Sequence, residues 1–130
     1  MVLLDTHVAV WLVLEPNKLS REATAAIARG RKTGGGIAIS VVSEVEIASL
    51  IVRGRIRTIL SVEQFLHELE SRFIVLPINT EIAARAAQFP LSYPRDPMDW
   101  VIGATAIVEG LALVTADDAI HSAKALQTVW

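Results

Sequence analysis

The sequence predicts one three-layer α/β/α domain built on a central, mainly parallel sheet of about five strands. Three observations predict it. A length of 130 residues suits one compact unit with a single core. Short apolar runs alternate with helical patterns along the chain, the order that gives parallel strands covered on both faces. No repeat, low-complexity tract or long linker divides the chain, so residues 1–130 read as a single domain.

The elements follow in order. Val2 to Leu4 is too short and apolar for a helix of its own and reads as a buried strand ending at Asp5. Residues 7–14 look helical and apolar nearly all round, and Pro16-Asn17 stops them. Ser20 caps an alanine-rich helix ending near Gly30, and Gly34-Gly35-Gly36 reads as a flexible loop. Ile37 to Ser40 is a second strand, followed by a helix from Val41 to about Val52. Ser61 with Gln64 forms a capping-box signature for a helix running to about Arg72. Phe73 to Ile78 reads as a strand weakened by Pro77, and Thr80 as the cap of a helix ending at Phe89. Asp96-Pro97 is a strong helix start, and that helix stops at Gly110. Leu111 to Thr115 is a strand, Asp117 opens a short helix, and Leu126 to Val129 is a last strand.

Composition narrows the function. Apolar residues make up 52% of the chain, and mean hydropathy is +0.46. A soluble chain so apolar should fill its core and leave a surface patch that a partner covers. No apolar run reaches the ~18–20 residues that span a bilayer. The N-terminus lacks a basic segment, and Asp5 interrupts its apolar stretch, unlike a secretion signal. Cysteine is absent, which excludes disulfides and thiolate metal sites. These features point to the cytoplasm. A net charge of −2 does not announce a nucleic-acid binder. Arg53, Arg55 and Arg57 nevertheless form a local strip that could hold phosphates, or simply a solvated helix end and loop.

Four acids stand at corresponding places: Asp5 after the first strand, Glu46 in the helix after the second, Asp99 in the first turn after Asp96-Pro97, and Asp117 after the strand ending at Thr115. In open parallel sheets, sites form beyond the carboxyl ends of the strands. Acids far apart in sequence can therefore meet. Two unit charges about 4 Å apart repel by roughly 4 kcal/mol at an effective dielectric near 20. Mg²⁺ or Mn²⁺ would remove that cost, because hard cations take oxygen ligands. Each acid also has a local explanation. Asp117 could be an N-cap, Glu46 could complete a capping box with Ser43, Asp99 could favour a helix N-terminus, and Asp5 could end a strand in a turn. His7 could hydrogen-bond near the site or cap the first helix, and the structural role is favoured.

Whole segments sharpen this picture. Leu3-Leu4-Asp5-Thr6-His7 with Trp11, Ile39 to Ala48, Arg95 to Ala106, and Leu113 to Asp117 together resemble the ordered motifs of the PIN-domain family, in its VapC-type branch. The match stretches from residue 3 to 117, and the position before Ile47-Ala48 selects Glu46 over Glu44. The resemblance implies a PIN-like fold and an endoribonuclease using Mg²⁺ or Mn²⁺, with Asp5, Glu46, Asp99 and Asp117 as metal-binding and catalytic acids. It gives Asp96, Thr115 and Thr6 supporting roles. Arg53, Arg55, Arg57 and Arg95 are the candidate substrate contacts. The implied reaction is attack on an RNA phosphodiester by a metal-activated water. The implied partners are RNA, a cognate antitoxin and a second copy of the chain, with no membrane. The chain departs from the pattern at Tyr93-Pro94, where a histidine is common, and at Trp100, where arginine is common.

Other classes fit less well. One rival is a catalytically silent PIN-like binding module; another is a metal-dependent phosphatase of a different α/β family. A receiver domain would need an acidic pair after the first strand and a late lysine; Asp5 has no acidic neighbour, and Lys124 is the only lysine near the end. A haloacid-dehalogenase phosphatase would want an aspartate where His7 stands. A dinucleotide fold is disfavoured because Gly34 to Gly36 precedes a strand.

Overall fold

The computed structural model describes residues 1–33 and 35–130, so the loop reading at Gly34 lies outside the described residues. Five parallel strands form the sheet: β1 (Val2–Leu4), β2 (Ile37–Ser40), β3 (Ile74–Leu76), β4 (Leu113–Val114) and β5 (Thr128–Val129). Their order is β3-β2-β1-β4-β5. The chain steps outward from β1 to β3, then crosses back to lay β4 on the other side of β1, pairing Leu4 with Val114. The reversal between β1 and β4 opens a crevice at their carboxyl ends.

Seven helices are described: α1 (Thr6–Leu14), α2 (Arg21–Lys32), α3 (Val41–Val52), α4 (Val62–Arg72), α5 (Thr80–Ala86), α6 (Pro97–Glu109) and α7 (Asp118–Ala123). The pleat sends alternate strand residues to opposite faces. Leu4, Ile37, Ile39 and Val114 pack with Val8, Ile27, Ile47 and Leu69 of α1 to α4. Leu3, Ala38 and Leu113 pack with Ile102 and Ala106 of α6 and Ile120 of α7. Ile82 and Ala86 of α5 then cover Ala104 on the outer side of α6. The three layers agree with the pattern of apolar runs.

Several boundaries differ from the sequence reading. The α2 helix runs to Lys32, past Gly30. Asn79, not Thr80, caps α5, its side chain accepting from the Ile82 N–H, and the helix stops at Ala86 rather than Phe89. The last three strands are shorter than their apolar runs. Pro77 lacks a ladder donor, which ends β3. Ser61 and Gln64 form the capping box, and Gly110 ends α6 at φ 67°, where glycine carries no Cβ penalty.

Candidate active site

The β1–α1 corner is built around Asp5, which is 4% exposed. Its Oδ1 accepts from the Thr6 N–H at 2.8 Å, making it the N-cap of α1 rather than an ordinary turn residue. Its Oδ2 accepts from the Thr115 hydroxyl at 2.7 Å. Thr115 Oγ1 in turn accepts from the Asp117 N–H at 3.1 Å. One buried hydroxyl thus ties the ends of β1 and β4 together, across 110 residues of sequence. Asp117 caps α7 through the Ala119 N–H at 2.9 Å.

Thr6 makes the corresponding link to α3. Its hydroxyl donates to Glu46 Oε1 at 2.7 Å and lies 2.9 Å from Ser43 Oγ. A hydroxyl has one proton, so Ser43 is the donor of that second bond. Ser43 and Glu46 therefore form no capping box; Ser40 caps α3 instead. Sequence reasoning gave Ser43 only that capping role. Its signal was its place one turn before Glu46, on the same helix face.

His7 joins the same corner but does not cap α1. Its Nε2 accepts from the Ala116 N–H at 3.0 Å, so a neutral ring carries its proton on Nδ1, which stands 3.7 Å from Asp5 Oδ2. That separation is too long for a hydrogen bond. His121, which the sequence did not single out, contacts the Thr115 carbonyl through Nε2 at 2.6 Å and the Thr128 hydroxyl through Nδ1 at 2.6 Å. The carbonyl can only accept, so Nε2 carries the proton.

Asp99 comes from the first turn of α6, where Asp96 is the N-cap, accepting from the Met98 N–H at 3.0 Å. Burial pushes the Asp99 carboxyl up to about 7, and the charges of Asp5, Asp96, Glu46 and Asp117 push in the same direction. Glu46 is raised by burial too; the Thr6 hydrogen bond opposes that, and Asp5 and Asp96 add to it. The structure therefore brings the four predicted acids and Asp96 into one electrostatic field. Among the described residues, no lysine or arginine forms an ion pair with any of them.

The donor set consists of hard carboxylate oxygens whose charge the protein does not neutralise, and this chemistry fits Mg²⁺ or Mn²⁺. Asp5, Glu46, Asp99 and Asp117 are the residues that would hold the ion. Among the described residues, no three such side chains already stand arranged to hold one. Asp5, Glu46 and Asp117 are turned onto protein donors instead, while Asp99 has no such bond among the described residues.

Tyr93 closes the other side of α6. It is 2% exposed, stacks on Phe89 with ring centroids 4.3 Å apart, and its hydroxyl has no hydrogen-bond partner. Gly103 permits the approach, since a Cβ there would lie 2.6 Å from the Tyr93 oxygen. Trp100 donates from its indole N–H to the Pro94 carbonyl at 2.6 Å, bracing the proline loop. The arginines do not form the single strip their spacing suggests. Arg53 borders a groove with Glu46, Asp96 and Met98, whereas Arg55 and Arg57 border a separate cleft beside Trp11. Arg95 is exposed.

Fold and site together define an α/β/α domain that collects unpaired carboxylates at the switch point of a parallel sheet. The PIN domain family model matches residues 2–126, and the chain belongs to that family. It is 37% identical over 131 residues to Ribonuclease VapC22 of Mycobacterium tuberculosis, covering 99% of this chain and 98% of the relative. Its fold is shared by the VapBC2 complex of Rickettsia felis bound to a promoter DNA fragment, at a TM-score of 0.73 and 16% identity over 98% of this chain and 97% of that one. DNA-bound VapBC of Salmonella typhimurium matches at a TM-score of 0.69 and 22% identity, with 98% and 97% covered.

Proposed function

We propose that the protein is a Mg²⁺- or Mn²⁺-dependent endoribonuclease, the toxin of a type II toxin–antitoxin pair. One observation carries the chemistry: acids from four separate segments act on one another, so that burial first and the charges of Asp5, Asp96, Glu46 and Asp117 after it raise Asp99 to about 7, and among the described residues no lysine or arginine forms an ion pair with them. RNA as substrate is supported by the near full-length relation to a protein named as a ribonuclease. A cognate antitoxin as inhibitor is supported by structural neighbours described as VapBC and toxin–antitoxin complexes.

The bound ion would activate a water and stabilise charge on the phosphoryl oxygen. The chain's own residues prepare the place. Thr115 and the Thr6 amide hold Asp5 in place. Thr6 holds Glu46 beside the β1–α1 corner, and the α6 start supplies Asp99, whose carboxyl feels the charges of Asp5 and Glu46. Exposed Val45, Val52 and Leu91 offer apolar surface for a second copy or the antitoxin. Among the described residues, no helix is long and apolar enough to cross a membrane; the cytoplasm is the proposed place of action.

The test is cleavage of single-stranded RNA by purified protein. Cutting should require Mg²⁺ or Mn²⁺, stop in chelator, and fall at least ~100-fold in Asp5→Asn, since the charge-stabilising machinery of such sites is worth about that much. Equal cutting by Asp5→Asn would reject the assignment.

A further inference from the structure

Trp11, Lys18, Arg55 and Arg57 border a cleft of about 570 Å³. This volume lies within the range of small-ligand sites. We propose that the cleft is a subsite for single-stranded nucleic acid, in which a base stacks on the Trp11 indole while Arg55 and Arg57 hold backbone phosphates. The proposal rests on the nuclease reading for the identity of the strand.

The indole is held ready. His7 meets it edge-on with centroids 5.0 Å apart, and Trp130 packs against it at 5.8 Å. The Lys18 ammonium lies 5.7 Å above the ring, so a cation rather than core packing covers that face. Lys18 also pairs with Glu15 at 2.7 Å, but both side chains are about half exposed. Such a pair is weak and easily exchanged for a ligand. A base stacked there would gain the sequence-tolerant contact on which single-strand binders depend.

The arginines are positioned as well. Ile56 is 7% exposed and anchors the loop, leaving Arg55 and Arg57 exposed on either side. The Arg55 and Ile56 N–H groups both donate to the Leu50 carbonyl, at 2.9 and 3.2 Å. Among the described residues neither guanidinium pairs with a carboxylate. Among the described residues, Glu15 is the one acid lining the cleft, against three cations, in a chain whose net charge is −2. Phosphate is the ligand chemistry that such a local excess attracts.

The cleft also connects with the acids. Asp5 caps α1, and Trp11 lies six residues on, about 9 Å along the helix axis. His7 touches both ends of this path. A strand whose scissile phosphate lies at the acids can therefore reach the indole within a few nucleotides.

The experiment measures binding of a labelled single-stranded RNA decamer to the full chain by fluorescence anisotropy, in EDTA and over a range of salt. Arg55→Ala/Arg57→Ala should bind about tenfold more weakly. It should also lose about 1.4 from the slope of log affinity against log salt, at roughly 0.7 per phosphate contact on a single strand. Trp11→Ala should weaken binding about tenfold, with Trp11→Phe retaining part of the loss. Arg31→Ala removes a cation beside Ile37 and Ile74, at the opposite edge of the sheet, and should leave the slope unchanged. Wild-type affinity and slope in the double arginine variant would overturn the proposal, as would an equal loss in Arg31→Ala. The arginines are exposed, so that variant tests the cleft even if Trp11→Ala fails to fold. Metal-dependent cutting by wild type, measured in parallel, separates failure of this subsite from failure of the nuclease reading.

Discussion

The β1–α1 corner and the start of α6 both carry an acid of the cluster, yet they treat it in opposite ways. Asp5 is nearly inaccessible, and both its oxygens accept hydrogen bonds from the protein. Asp99 is partly buried among like charges, has no hydrogen bond of its own, and is pushed up to about 7. The first region is held by the protein's own donors. The second is perturbed by burial first and by like charges second, and a cation would relieve the repulsion. One side of the site is thus a fixed anvil, and the other an acid that depends on what binds.

The largest expected effect tests the fixed side. Thr115→Val removes the donor to Asp5 Oδ2 and the acceptor of the Asp117 N–H. Losing a buried hydrogen bond to a charged group should destabilise the protein by about 2–3 kcal/mol. Thermal melting should fall by roughly 8–12 °C for a chain of this size. An unchanged melt would remove the contrast between the two regions.

Mn²⁺ tests the dependent side. At a hundred times its dissociation constant it should stabilise wild type by about 2.7 kcal/mol. Asp99→Asn should show a much smaller shift at the same concentration. No shift in wild type up to millimolar Mn²⁺ would argue against a formed site.

The metal-free protein gives a smaller and pH-dependent signal. A carboxyl raised from 3.8 to about 7 binds more protons folded than unfolded between those values. Stability therefore falls as pH rises through that window, and the penalty is complete above it. Asp99→Asn should be more stable than wild type at pH 8 by about 1 kcal/mol once solvent screening is allowed for, and indistinguishable from it at pH 3.5. Destabilisation at pH 8 would mean that Asp99, like Asp5, is held by the protein. Tyr93→Phe completes the series. Its buried hydroxyl lacks a partner beside the same helix, so removing it should leave melting unchanged or raise it by up to ~1 kcal/mol.

The candidate acids could be picked out from residues alone, because most of them sit at a local signal. Asp96 and Asp117 are N-caps, and Asp5 ends an apolar run. Their local roles and their shared field coexist, so the capping explanations were not real competitors. The helices read well where caps and breakers are explicit, as at Ser61, Pro97 and Gly110. Strand ends read poorly. An apolar run such as Leu111 to Thr115 continues as far as burial does, while pairing continues only as far as a neighbouring strand reaches.

By itself, the sequence determined the alternation of strand and helix and marked the candidate acids at local signals, because periodicity and capping act over a few residues. Tertiary structure decided which groups meet. Thr6 reaches Glu46, Thr115 holds Asp5, and the three nearby arginines divide between two clefts. Those outcomes depend on strand order across the sheet and on which way a side chain leaves its helix. Both are set by packing between segments up to 110 residues apart, which no local pattern encodes.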